Sequence, residues 1–291
     1  MSVAGIDISR ELDRAEQAIR IGRPNLALEI TAKVLTAEPE HAGAHYLMSL
    51  SWAECSEKKT HRALESIVKA VRLQPDEPLY LAFHGVLLGS VKKNVEANQA
   101  FQQALQIDPD HDLIHYWYAD FLLQNRQDLD RALSHIQRAL ELDPGVADYH
   151  TLHGRILGEQ KKPQAARKAF QTSLSLDPES LNIHYNYGVF LLNQNRPKPA
   201  FEHLREAMRI NPEDPHIREI FPLALKAKHP LYRPLWFWFM FLSRMGRWRL
   251  LLIIGLFIFL RPLFFLHLLF IILFWIVDPL FNYLIRRGWI K

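Results

Sequence analysis

Histidine is the residue type best supplied for chemistry in this 291-residue chain, with fourteen copies. Two pairs have helical spacing: His111 with His115, four apart, and His150 with His153, three apart. Such a pair lies on one helix face and offers a metal ion two nitrogens, half of a tetrahedral set. The single cysteine, Cys55, adds no multi-cysteine zinc site and excludes an intramolecular disulfide, so it reads as a small, partly buried apolar residue. His84 and His153 each stand just before a glycine, at matching places in the chain, which points to a repeated packing solution. The acid pair Asp128 and Asp130 suits a solvated turn. No H-E-x-x-H, G-x-x-x-x-G-K-[ST] or G-x-S-x-G occurs. These residues predict neither an enzyme, nor a metal centre, nor a cofactor.

The elements that must carry these residues are punctuated by prolines. Pro39, Pro75, Pro109, Pro144, Pro178 and Pro212 each follow an acidic or amide residue, at separations of 36, 34, 35, 34 and 34. Before each lies an amphipathic segment containing alanine, such as ANQAFQQALQIDP or ALSHIQRALELDP, with apolar residues at helical spacing. Proline disfavours helix in the residue before it, so a stop is built into every unit. An earlier helix precedes each of these, carrying a small or short residue inside it at Gly85, Asp120, Gly154 and Gly188. A period of this length indicates one supersecondary unit used repeatedly.

In register and spacing the chain resembles the tetratricopeptide repeat family. The matching residues are Gly85, Ala97, Phe101, Ala104 and Pro109 in the third unit, Gly154, Ala166, Phe170 and Pro178 in the fifth, and Gly188, Ala200, Leu204, Ala207 and Pro212 in the sixth. The resemblance implies an all-α, right-handed superhelical solenoid of six helix-turn-helix units, about 8–41, 44–77, 78–111, 113–146, 147–180 and 181–214, closed by a capping helix over 215–228. The first unit fits least well, with Thr31 at the bulky position. Small residues are expected where helices approach closely, so Ala166→Trp is expected to destabilise the chain.

The resemblance also implies a concave face lined by the first helices, where a protein or peptide partner would bind. Its register points Met48, Trp52, Ala82, Val86, Trp117, Phe121, Thr151, Arg155, Tyr185 and Val189 inward, with Gln124 and Asn193 as polar donors beside them. Rigid aromatic rings would give contact area at little entropic cost. Some of these rings equally suit core space between helices. The chaperone-binding members hold a carboxylate with basic and amide side chains, whereas here Leu12, Glu16, Ala82 and Val86 occupy such positions, so no carboxylate clamp is expected. A second copy of the chain is a further candidate partner, given exposed aromatics in a repeat array.

At 49% hydrophobic and 23% charged, the composition supports a packed core. Its +4 net charge is unevenly spread: residues 226–291 hold ten of the 35 Lys and Arg but one acid, Asp278, leaving 25 basic against 30 acidic residues before them. Basic residues flanking apolar runs orient a chain in a bilayer and give no reason to expect nucleic acid. The N-terminus lacks an apolar stretch of signal-peptide length, so the repeats are expected in the cytoplasm. Segment 229–249, with Trp236, Trp238, Arg244, Arg247 and Trp248, has the composition of an interfacial belt. Residues 250–291 predict a membrane hairpin with legs of roughly 21 and 24 Å, Arg261 at the far apex and Arg286 and Arg287 back on the cytoplasmic side. Asp278, beside Pro279, is expected to end the second leg and to pair with one of these arginines. The alternative is a single span over about 263–285. Together these features predict a membrane-anchored adaptor, with a bacterial inner membrane favoured; the rival is an accessory subunit of a membrane complex that acts through its hairpin.

Overall fold

A computed structural model of the chain describes residues 7–55, 59–125, 128–230, 232, 234 and 261–287. Fourteen helices, and no strand, occur among the described residues: α1 (Ile8–Arg20), α2 (Pro24–Ala37), α3 (Ala42–Cys55), α4 (Thr60–Leu73), α5 (Pro78–Ser90), α6 (Asn94–Ile107), α7 (Asp112–Gln124), α8 (Leu129–Leu142), α9 (Ala147–Glu159), α10 (Pro163–Leu176), α11 (Leu181–Asn193), α12 (Pro197–Ile210), α13 (Pro215–Lys228) and α14 (Arg261–Arg286). Compactness divides the chain after Ile156, within α9, into two units.

Every second helix of a pair ends two residues before its proline. The intervening residue leaves helical geometry, as at Gln74 (φ −136°, ψ 83°) and Asp143 (φ −138°, ψ 96°). Its side chain then closes the turn: Asp108, Asp143, Asp177 and Asn211 each accept a hydrogen bond from the backbone N–H two residues on, at 2.8–3.3 Å. Prolines also open α2, α5, α10, α12 and α13, where the missing N–H has no helical partner to lose. Left-handed residues stand between the helices of several pairs: Gly22 (φ 68°), Lys92 (62°), Lys161 (59°) and Asn195 (55°).

The core repeats with the sequence. Ala27, Ala63, Ala97, Ala132, Ala166 and Ala200 are all fully buried, as are Thr31, Ile67, Phe101, Ile136, Phe170 and Leu204 four residues later. A small residue is needed where the first helix crosses this bulky residue. A Cβ on Gly85 would lie 3.1 Å from the Phe101 ring, and one on Gly188 only 2.6 Å from Cγ of Leu204. The equivalent fourth-unit residue is Ala119, fully buried. Asp120 is therefore not the close-approach residue expected from the sequence: its carboxylate carries an ion pair with Arg155.

The second unit ends in α13 and α14. Asp278 was expected to end the apolar helix, yet α14 runs through Asp278 and Pro279 to Arg286. The proline sacrifices one backbone bond, but an apolar run offers its backbone no better partners than helix continuation. Among the described residues the partners of Asp278 are Lys226, Tyr232 and Asn282, and none is an arginine. Trp236, Trp238, Arg244, Arg247 and Trp248 lie outside the described residues, as do the first leg of the expected hairpin and the side chains of Arg261 and Arg286.

Candidate functional site

The paired histidines do not converge as metal ligands. His115 turns away from His111: its Nδ1 lies 2.9 Å from Nδ1 of His135 on α8, and its Nε2 bonds the Pro109 carbonyl at 2.9 Å. The same carbonyl stitch, six residues from proline to histidine, joins His45 to Pro39, His150 to Pro144 and His184 to Pro178 at 2.9–3.0 Å. His184 repeats the histidine pair with His203, at 3.1 Å. Burial and a facing imidazole hold His135 and His203 down at about 4, so these two side chains are neutral at physiological pH. Among the described residues no group of three or more His, Cys, Asp or Glu could hold a metal ion. Asp128 caps α8, accepting from the N–H groups of Asp130 and Arg131. Cys55 is partly buried, with its thiol on Oδ1 of Asn25 at 3.3 Å.

Within the first unit, α5 and α7 enclose a cleft of about 170 Å³, lined by Val86, Gly89, Ser90, Trp117, Asp120, Phe121 and Gln124. Phe121 forms its floor, only 5% exposed, with its ring against Phe101 at 5.4 Å. Gly89 makes room for it, since a Cβ there would come within 2.7 Å of the ring. Trp117 is half-buried and tilted against Phe83 at 5.7 Å, one edge in the core and the other in the cleft. The polar centre is Asp120. Arg155 on α9 donates to its Oδ1 at 3.0 Å and Gln124 to its Oδ2 at 2.5 Å. The arginine and glutamine expected as donors to a ligand are thus already engaged by one carboxylate, at a position whose sequence pattern points to packing.

The other predicted groove residues lie apart from this cleft. Ala82 and Thr151 are buried, and the Thr151 hydroxyl bonds the Ala147 carbonyl. Met48 is half-buried, and Trp52 packs on the α4 core with Lys59 and Arg62 over its ring at 5.0 and 4.9 Å. In the second unit Tyr185 lies against His216 at 6.3 Å, Val189 is half-buried and Asn193 is exposed. A set of rings on the first helices escaped sequence reasoning: Tyr46 packs on Tyr80 at 4.8 Å, and Tyr116 stacks on Tyr149 at 5.1 Å. Tyrosine seven residues after Pro39, Pro109 and Pro178 is the pattern that would have revealed it.

Residues 91–156 and 158–228 match the model of the tetratricopeptide repeat. The chain carries tetratricopeptide repeats over these residues. No curated protein matches it. Among solved structures, a tetratricopeptide repeat protein from Parabacteroides merdae is 14% identical with a TM-score of 0.63, covering 77% of this chain and 86% of its own. A chain of the APC/C hetero-tetramer Cut9–Hcn1 is 21% identical with a TM-score of 0.62, over 75% of this chain, which spans 42% of that one. PilW, a type IV pilus biogenesis factor, gives 15% and 0.58, over 75% and 99%. At these identities the likeness is one of fold. The tetratricopeptide repeat is a scaffold fold typical of protein–protein interaction.

One helix among the described residues, α14, is long and apolar enough to cross a membrane, by length and composition, over His267–Ile285. Phe265, Trp275 and Ile276 are 65%, 77% and 61% exposed. Its covered face carries His267, Phe274, Asp278 and Phe281, which share a face at helical spacing. Tyr232 and His229 pack on Phe281 at 5.2 and 5.0 Å.

Proposed function

We propose that this chain is a membrane-anchored adaptor that binds a protein or peptide partner through the first helices of its repeats. The reading is carried by the cleft between α5 and α7: an aromatic wall, an apolar floor and a paired carboxylate at one rim. Such a site accepts an apolar side chain against Trp117 and Val86 and a backbone or side-chain donor at Asp120. Exposed apolar side chains along α14 support the anchor, because a helix with this many in water would drive aggregation. The basic composition of residues 226–291 agrees with a cytoplasmic position for both ends of the anchor, with a bacterial inner membrane as the setting.

The test is capture of a partner from solubilised membranes by the full-length protein, beside Trp117→Ala and Asp120→Asn variants matched in thermal unfolding. A partner retained by the parent and lost by both variants supports the groove. Equal capture by all three removes the cleft from the reading. The second reading, an accessory subunit of a membrane complex acting through its apolar segment, is favoured by the exposure of Trp275 and Phe265. It requires capture to fail once residues 230–291 are deleted, whereas the groove reading requires it to survive.

A further inference from the structure

The two ends of α14 differ in chemistry. From Phe265 to Val277 the described side chains are apolar except His267, which is buried on the covered face. From Asp278 onward come Asp278, Asn282, Tyr283 and Arg287, the last with its guanidinium 5.1 Å from the Tyr283 ring centroid. The join between these stretches is clasped to the last repeat helix. Lys226, only 8% exposed in its side chain, donates to Oδ1 of Asp278 at 2.7 Å, and the Tyr232 hydroxyl donates to the same oxygen at 2.7 Å. Asn282 donates to the other oxygen at 3.1 Å.

This clasp conflicts with a full crossing by His267–Ile285. Asp278 lies close to the middle of that run, so centring the run in hydrocarbon would carry Lys226, His229 and Tyr232, and the C-terminal end of α13 with them, into the same layer. Lipid solvates neither a separated Asp and Lys nor the polar groups ending a helix. Insertion from Phe265 to Val277 asks for neither, and those thirteen residues span roughly 20 Å against a core of about 30 Å. A tyrosine and arginine pair just beyond the clasp suits the headgroup layer.

Resting on the membrane reading above, we infer that α14 enters a phospholipid bilayer only as far as Val277 without crossing it, and that the Lys226–Asp278–Tyr232 clasp is the stop. Residues 278–287 then remain on the same side as the repeats. The test uses full-length protein with Cys55→Ser and one new cysteine, Ile272→Cys or Tyr283→Cys, added to sealed phosphatidylcholine–phosphatidylglycerol vesicles. After flotation, the vesicles are treated with a membrane-impermeant maleimide.

Labelling at 283 in intact vesicles, with 272 protected until detergent is added, is the expected result. Protein that floats but labels at 283 only after the vesicles are opened crosses the bilayer, which overturns the inference and leaves the anchor standing. Protein that does not float overturns both. Removing the stop without leaving a lone charge, by Lys226→Met with Asp278→Leu, should lower labelling at 283 in intact vesicles by about tenfold, whereas the exchanged pair Lys226→Asp with Asp278→Lys should preserve it. Unchanged labelling in the first double variant, or loss in the second, shows that this ion pair does not set the depth.

Discussion

Lys161 sits between α9 and α10 at φ 59°, in the left-handed region that costs a side-chain-bearing residue about 1 kcal/mol. Gly22 holds the corresponding turn of the first repeat without that strain. Lys161→Gly is accordingly expected to stabilise the protein by about 0.5 kcal/mol after glycine's greater freedom in the unfolded chain is subtracted, read as a raised denaturation midpoint. Gly188→Ala should do the opposite, costing roughly 1–3 kcal/mol, because the new methyl meets buried Leu204. The histidine pairs give the fold an acid limit. An unfolded histidine takes up its proton near 6.5, while His135 and His203 resist until about 4. The unfolded state therefore binds more protons across that window, so stability is full above about 6.5 and falls as pH drops toward 4. Thermal unfolding followed from pH 7 to 4.5 should show this loss, and His135→Gln with His203→Gln should flatten it.

At the scale of helices, the proline spacing placed the repeats because proline acts locally and the next residues obey it alone. The same locality explains the misassignment of Asp120. Its neighbour Ala119 occupies the close approach, and only α9, 35 residues away, supplies the arginine that gives Asp120 its role. Groove residues such as Trp117 were legible as aromatic at a helical register, but their division between core and surface depends on Phe83 and Gly89, which belong to another helix. Asp278 was misread for a similar reason: a proline beside an acid resembles a stop until Lys226 and Tyr232 are seen to hold it. Lys226→Met alone should cost about 3 kcal/mol by stranding a carboxylate. Adding Asp278→Leu should recover most of that loss, and a double-mutant cycle in chemical denaturation measures the difference.

Across the whole molecule, the proposed membrane anchor assigns the repeats and the apolar segment to different solvents. Truncation after residue 228 is expected to give a helical protein that unfolds near the same temperature as the parent and no longer sediments with membranes, as circular dichroism and vesicle pelleting would show. Sedimentation of the truncated chain would place membrane affinity in the repeats themselves.

The carbonyl stitches and turn caps close over six residues or fewer, so the repeat junctions that carry them can form soon after they are made. Lys226 must wait longer, for its carboxylate lies 52 residues downstream. At about 5–20 residues per second, the interval on a translating ribosome is roughly 3–10 s. Synthesis thereby gives assembly a direction in time, with the repeats complete first and their attachment to the apolar helix the last contact made.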